Sequence, residues 1–462
     1  MKRCLTHFAS AMRGALKGAD ATFTSVSTDT RSLKGGELFV ALVGPNFDGH
    51  NFIAAATAAG AVGVVVSRSV ETPIPQIMVD DTVLALQRAA GAWRTQFKIP
   101  VVAVAGSNGK TTTKELIANI LAERGRCHST KGTLNNHIGV PLTLLELDER
   151  HATAVIEIGA NHPREVESLM PLVCPTVGIV TNAGAEHLEG FGDLDGVARA
   201  EGELFAGLER TATAVINVDD EYHNLWSGMA RTEQRLSFGF SPTAEFRAIG
   251  ASRLSSADGY QQEFDMLSPL GHIRVKLALI GRHNVVNALG AAAAAYAAGA
   301  SNDDICAGLQ KSRPIKGRLQ SFAGVNGAQL IDDSYNANPS SLTAGLEVLA
   351  AMSGERWLVL GDMGELGEHS RAAHLTAGRE ARERGVTRLF AVGECTSDAV
   401  KVFGQGAEWF KDSDALASRV QGLLTPGVTV LVKGSRSNRL ERVVEYLRVN
   451  SSANTTAAEV AH

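Results

Sequence analysis

Gly106, Ser107, Asn108, Gly109, Lys110, Thr111 and Thr112 stand in an order that suits the binding of a polyphosphate. Glycines permit a tight turn, backbone N–H groups at a helix start face an anion, and the Lys110 ammonium adds positive potential. The Thr111 hydroxyl is placed to ligate a magnesium ion shared with the phosphates. The spacing is a variant, because the general phosphate-loop pattern has a longer gap between its glycines than Ser107 and Asn108 provide. A glycine turn beside a solvated lysine is the alternative. Two further polar stretches follow apolar runs: GANHPRE after Ile158, and NAGAEHLEGFG after Thr181. Glu157 lies inside an apolar strand, where an unpaired charge is costly, so it is expected to face a cation or to sit in a structural ion pair. His187 could supply a nitrogen ligand, although magnesium prefers oxygen and a lone histidine is commonly a hydrogen-bonded core or surface residue.

Regular elements must hold these groups at one edge. Val101 to Ala105 form the apolar run of a central parallel strand, and Ala154 to Ile158, Thr176 to Thr181 and Ala214 to Val218 read as its neighbours. Strands alternating with helices from 99 to 314 predict an α/β doubly wound parallel sheet with a phosphate-loop ATPase character, its ligands outside the carboxyl ends of the strands. Residues 1–98 read as a smaller α/β unit, with a strand from Glu37 to Leu42, a helix from Asn51 to Ala59 and a strand from Ala61 to Val66. In its SVSTDTR segment, Ser27, Asp29 and Arg31 are either ligand contacts or an ordinary polar turn. Residues 315–449 alternate again, with strands near Gln329 to Asp332, Trp357 to Gly361, Leu389 to Val392 and Val428 to Val432, as in a second Rossmann-like unit. The tail 450–462 is small and polar and is expected to be disordered. The run Ala288 to Ala300 reads as a packed helix, too short and alanine-rich to cross a bilayer.

Composition narrows the partners. A chain of 462 residues suggests about three domains, and a formal charge of -5 without a basic block offers no electrostatic case for nucleic acid or membrane insertion. Five scattered cysteines without CxxC spacing fit a reducing cytosol better than a disulfide framework or zinc site. The N-terminal residues lack an uninterrupted apolar stretch, so no signal peptide is expected.

GSNGKTTTKE, TLNNHIGVP, EIGANH and AEHLEGFG, in this order, resemble the Mur ligase family of peptidoglycan-building, ATP-dependent amide ligases. The match runs over nearly the whole chain. It implies an N-terminal domain for the UDP end of the substrate, a central ATPase domain and a C-terminal domain that closes over the nucleotide. It further implies an ATP- and Mg2+-dependent, cytoplasmic and monomeric ligase that joins D-alanyl-D-alanine to UDP-N-acetylmuramoyl-tripeptide through an acyl phosphate, yielding ADP and phosphate. By the same resemblance Ser27, Asp29 and Arg31 with GPNFDGH are nucleotide-sugar surface, and Asn135 and Asn136 are the substrate-side asparagine pair. Thr111, Glu157 and His187 become magnesium ligands, His283 and Asn284 adenine contacts, and Arg318 and Asp333 nucleotide contacts from the last domain. Tyr335, Asn336 and Asn338 lie beside the peptide ends. One position departs. Where the family often has a carbamoylated lysine, this chain has Glu201, which either supplies the negative charge and a metal ligand directly or is a surface glutamate. The related ligase that adds a diamino acid usually carries DNPR, which is absent here. A phosphate-loop kinase or GTPase is disfavoured by the absence of NKxD, and a non-catalytic sugar-nucleotide binder by Lys110, Glu157 and His187. Folylpolyglutamate synthetase shares the fold and the loop but not the UDP segment. The third residue of the peptide stays open between lysine and diaminopimelate.

Overall fold

The computed structural model describes residues 3–256 and 259–449, with the side chains of 250–259 left aside. The tail from 450 on, expected to be disordered, lies outside the described residues.

Strand formation follows the buried β-branched runs. In the N-terminal unit Leu38–Val40 and Gly63–Val66 are fully buried and pair in parallel, within a five-stranded sheet that also holds Ala15–Lys17, Val26–Ser27 and Gln76–Met78. The helix anticipated from Asn51 opens instead as a 3-10 turn at Gly49–Phe52, capped by the Asp48 carboxylate accepting from the His50 N–H, and becomes α-helical at Ile53–Ala58. Helix Thr82–Arg94 then ties this unit to the next. Trp93 Nε1 donates to Leu147 O at 3.0 Å and Arg94 Nε to Val173 O at 2.9 Å, so the two units share one continuous apolar core.

The central sheet has nine strands. Strand Val101–Ala105 lies between Thr153–Glu157 and Val177–Val180, all parallel. Because side chains alternate along a strand, Val101, Ala103 and Ala105 enter the core shared with the N-terminal unit. Val102 and Val104 face the opposite core with Leu116, Ile117, Ile120 and Leu121 of helix Lys110–Ala122. Ala288 to Ala295 of helix Arg282–Ala297 are buried in that second core, where small side chains allow close approach. To the parallel sheet expected here, Phe246–Ser256, Gly259–Ser268 and Gly271–Leu277 add an antiparallel meander at one edge. Its strands carry many polar residues on an exposed face and lack the continuous apolar signature of buried parallel strands.

The C-terminal sheet has six strands, parallel except for Gln320–Ala323, with Gln329–Asp333, Val428–Lys433 and Glu355–Gly361 adjacent. Among the described residues no helix is long and apolar enough to cross a membrane.

Candidate active site

Strand Val101–Ala105 leads directly into the loop. Gly106 has φ 117° and Gly109 φ 82°, conformations that favour glycine. Space demands glycine as well: a Cβ at Gly106 would lie 2.2 Å from Thr181 Oγ1, and one at Gly109 2.5 Å from Asn287 Oδ1. Asn182 braces the turn, its carbonyl accepting from Ser107 N–H at 2.9 Å and its Oδ1 from Asn108 N–H at 3.0 Å. Helix Lys110–Ala122 starts at Gly109 with no side-chain cap, and Gly109 to Thr112 line a cleft. Uncapped first-turn N–H groups and the helix dipole suit an anion there.

Lys110 Nζ donates to Ser107 O and to Glu186 Oε1, both at 3.0 Å. Burial alone pulls its pKa down, but the carboxylates of Glu186, Glu201 and Glu157 outweigh burial and raise it. The ammonium is charged. Glu157 is buried at the end of strand Thr153–Glu157; its Oε1 accepts from Asn135 Nδ2 at 2.9 Å, while Oε2 is buried without a hydrogen-bond partner. An orphaned carboxylate oxygen beside the cleft suits a hard cation. His187 also lines the cleft, and its Nδ1 lies 2.5 Å from Glu365 Oε2. Thr111 Oγ1 accepts from Arg318 Nη2 at 3.4 Å. Among the described residues no three His, Cys, Asp or Glu side chains form a metal cage, so the protein supplies a sparse donor set. Magnesium, which keeps several waters and phosphate oxygens, fits such a set.

Glu201, read from sequence as a fourth member of the Thr111, Glu157 and His187 group, is not brought to the cleft. It is buried on helix Leu194–Ala206 behind the loop, where its Oε2 accepts the Gly106 N–H at 2.6 Å. Burial pushes its pKa up to about 7, against the opposing pull of Lys110. A glutamate stem is shorter than a carbamoylated lysine, and here it ends at the loop backbone. The carboxylate paired with Lys110 in the cleft is Glu186. Sequence reasoning passed over it, because AEH was read for its histidine; its place directly beyond a strand end was the available signal.

The opposite wall comes from the C-terminal unit. Asp333 ends strand Gln329–Asp333 and accepts from Lys433 Nζ at 2.5 Å, and Lys433 also reaches Asn336 O at 3.0 Å. Burial raises the Asp333 pKa, with Lys433 opposing. Lys433 is thus paired with a carboxylate of its own chain. The Arg318 guanidinium lies 4.5 Å from the centroid of the Tyr335 ring. Asn338 caps helix Pro339–Ala350 and donates from Nδ2 to Asn108 Oδ1 at 2.9 Å, and Asn108 Nδ2 donates to Ser340 Oγ at 2.9 Å. These bonds tie the phosphate loop across the domain seam. His283 lines the same cleft, its pKa lowered to about 4 by burial and by Lys433, so the imidazole is neutral. Asn284 lies in the first turn of the helix that starts after Gly281, and its Nδ2 donates to Ile280 O at 2.7 Å.

The cleft has a volume of about 650 Å³ and gathers Lys110, Asn135, Asn136, Glu157, His187, His283, Arg318, Asp333, Tyr335, Asn336 and Asn338. Asn136 within it caps the following turn, its Oδ1 accepting from the Ile138 and Gly139 N–H groups. Ser27, Asp29 and Arg31 do not line it. Arg31 is exposed and holds the Asp29 carboxyl down at about 2, within a solvent-facing turn.

Models of the Mur ligase family match in three consecutive segments: the catalytic domain over residues 22–102, the middle domain over 104–295 and the glutamate ligase domain over 317–436. The UDP-N-acetylmuramoyl-tripeptide--D-alanyl-D-alanine ligase of Escherichia coli K12 is 42% identical over 450 residues, covering 97% of this chain and 99% of that protein. The chain belongs to the Mur ligase family. The enzyme of the same name from Bacillus subtilis is 32% identical, with 97% and 98% of the two chains covered. A crystal structure of MurF from Acinetobacter baumannii superposes with a TM-score of 0.89 at 34% identity, over 95% of this chain and 97% of that one. The family binds ATP, and the glutamate ligase segment contains the whole C-terminal sheet described above.

Proposed function

We propose that the chain is an ATP-dependent ligase joining D-alanyl-D-alanine to UDP-N-acetylmuramoyl-tripeptide, with release of ADP and phosphate, in peptidoglycan precursor synthesis. The observation that carries this reading is one cleft holding a phosphate loop on one wall and Arg318 and Asp333 on the other, in a chain matched almost end to end by relatives of that specificity.

A carboxylate does not condense with an amine in water without activation. The phosphate loop binds the β and γ phosphates through first-turn N–H groups, and Lys110 exchanges Glu186 for phosphate oxygen. The terminal carboxylate of the tripeptide attacks the γ-phosphorus and ADP leaves, which gives an acyl phosphate. The D-alanyl-D-alanine amine then attacks the acyl carbon, and the tetrahedral intermediate expels phosphate and loses its amine proton. Thr111, Glu157 and His187 would hold Mg2+, which when bound would neutralise the like charges on carboxylate and phosphate. Asn135 fixes Glu157 through Oε1 and leaves Oε2 for that role. Glu201 holds the Gly106 amide and is not assigned to the metal. His283 and Asn284 lie on the adenine side, while Tyr335 and Asn336 with the Asn338 turn border the peptide ends. Ser27, Asp29 and Arg31, in the N-terminal unit, take the UDP end. Docking of the C-terminal unit over the loop excludes water from the acyl phosphate.

The test is phosphate release with D-alanyl-D-alanine and UDP-N-acetylmuramoyl-tripeptide carrying either lysine or diaminopimelate. ADP and orthophosphate are expected, with one peptide preferred. AMP and pyrophosphate would exclude the acyl phosphate, and equal phosphate release without peptide would exclude the ligase. The cleft is lined by the central and C-terminal units of a single chain, and we place the active species as a monomer. Light scattering should give the mass of one chain, and a mass of two at working concentration would overturn that. Five free cysteines and nucleotide substrates suit the cytoplasm.

A further inference from the structure

His187 and Glu365 meet across the seam between the central and C-terminal units, with Nδ1 2.5 Å from Oε2. Both residues hold left-handed backbone, φ 49° and 61°, where a non-glycine residue is strained. The contact is part of a small clasp. Glu189 N–H donates to Glu365 O at 3.3 Å, and Leu188 packs against the C-terminal apolar core that contains buried Leu366. The loop carrying Glu365 is itself firmly held. Met363 N–H donates to His374 Nε2 at 3.0 Å, and Asp362 O accepts from Ser435 N–H at 3.0 Å and Asn438 Nδ2 at 2.9 Å.

Stability alone does not account for the glutamate. Its side chain is 63% exposed, so the contact is screened by solvent and adds little to stability against the strain of the left-handed backbone. What the contact does define is the imidazole. With Nδ1 engaged by a carboxylate, Nε2 is the nitrogen left for a ligand in the cleft that His187 lines.

We propose that Glu365 is a positioning residue: it fixes the orientation of the His187 ring from across the domain seam, so that the metal–nucleotide site is complete only when the C-terminal unit is docked. The inference rests on the assignment of His187 to the Mg2+ site.

Glu365→Gly separates orientation from folding, because glycine accepts φ 61° without strain. The variant should keep the thermal midpoint of the wild type. Free Mn2+, followed by electron paramagnetic resonance in the presence of a non-hydrolysable ATP analogue, should show about 10-fold or greater weakening of Mn2+ binding, and kcat should fall by a similar factor with little change in the KM for D-alanyl-D-alanine. Glu365→Gln, which keeps the side-chain shape and an oxygen beside Nδ1, should restore most of both. In a His187→Ala background the glycine substitution should have no further effect on Mn2+ binding. Wild-type Mn2+ affinity in Glu365→Gly, or an equal loss with and without His187, would overturn the proposal. Inactivity of the wild type on the peptide substrates would instead overturn the function proposed above, since the Mn2+ titration does not depend on ligation.

Discussion

Lys110→Ala should lose more than about a hundredfold in kcat/KM, equivalent to roughly 3 kcal/mol or more of transition-state stabilisation, because the ammonium beside the transferring phosphoryl group has no substitute. The neighbourhood of Lys110 adds a second effect. Its Nζ lies 3.0 Å from Glu186 Oε1, whose side chain is only 8% exposed, so removing the cation leaves a nearly buried carboxylate unpaired. The buried ion pair therefore predicts a lower thermal midpoint. Adding Glu186→Gln removes the stranded charge, so the double variant should recover stability without recovering activity. That split distinguishes chemistry from folding in one set of proteins. Near-normal turnover in folded Lys110→Ala would contradict the assigned role, and a double variant as unstable as the single one would contradict the ion-pair account.

Glu201→Gln should stabilise the nucleotide-free protein at alkaline pH. The sign follows from a carboxyl whose pKa is raised from 4.5 to about 7 by burial. Between those values the folded protein retains a proton that the unfolded chain has released, so the stabilising contribution, complete below the unfolded pKa, is lost as pH rises through the folded one. Above about pH 7 wild type bears the full cost of a buried carboxylate, on the order of 3 kcal/mol. Glutamine is neutral at every pH, and its amide oxygen can still accept the Gly106 N–H. Thermal midpoints of the two proteins should converge below about pH 4.5 and separate in favour of the variant above about pH 7. A less stable variant at pH 8 would show that the ionised carboxylate is the favoured form. Since the glutamate needs no CO2, bicarbonate depletion should leave wild-type turnover unchanged, and a bicarbonate requirement would point to a carbamoylated lysine elsewhere.

Periodicity and turn chemistry were enough to place the strand before the phosphate loop, because an uninterrupted apolar run followed by glycines and a lysine permits few other conformations. The same applies to the central C-terminal strands, where β-branched runs are buried on both faces. The edge meander from Phe246 to Leu277 was not legible, since an edge sheet exposed on one face carries a weaker, half-polar pattern. Motif order by itself also determined the family and the candidate residues Lys110, Glu157 and His187. It did not determine which carboxylate meets which cation. Glu201 and Glu186 both lie near Lys110 in space, but helix orientation and stem length send one to the Gly106 backbone and the other into the cleft. Asp333 with Lys433, and His187 with Glu365, are contacts between distant parts of the chain. Hydrogen bonds act over about 3 Å and depend on direction, so their partners are chosen only when sheets dock and loops converge; sequence spacing records neither distance nor direction between units.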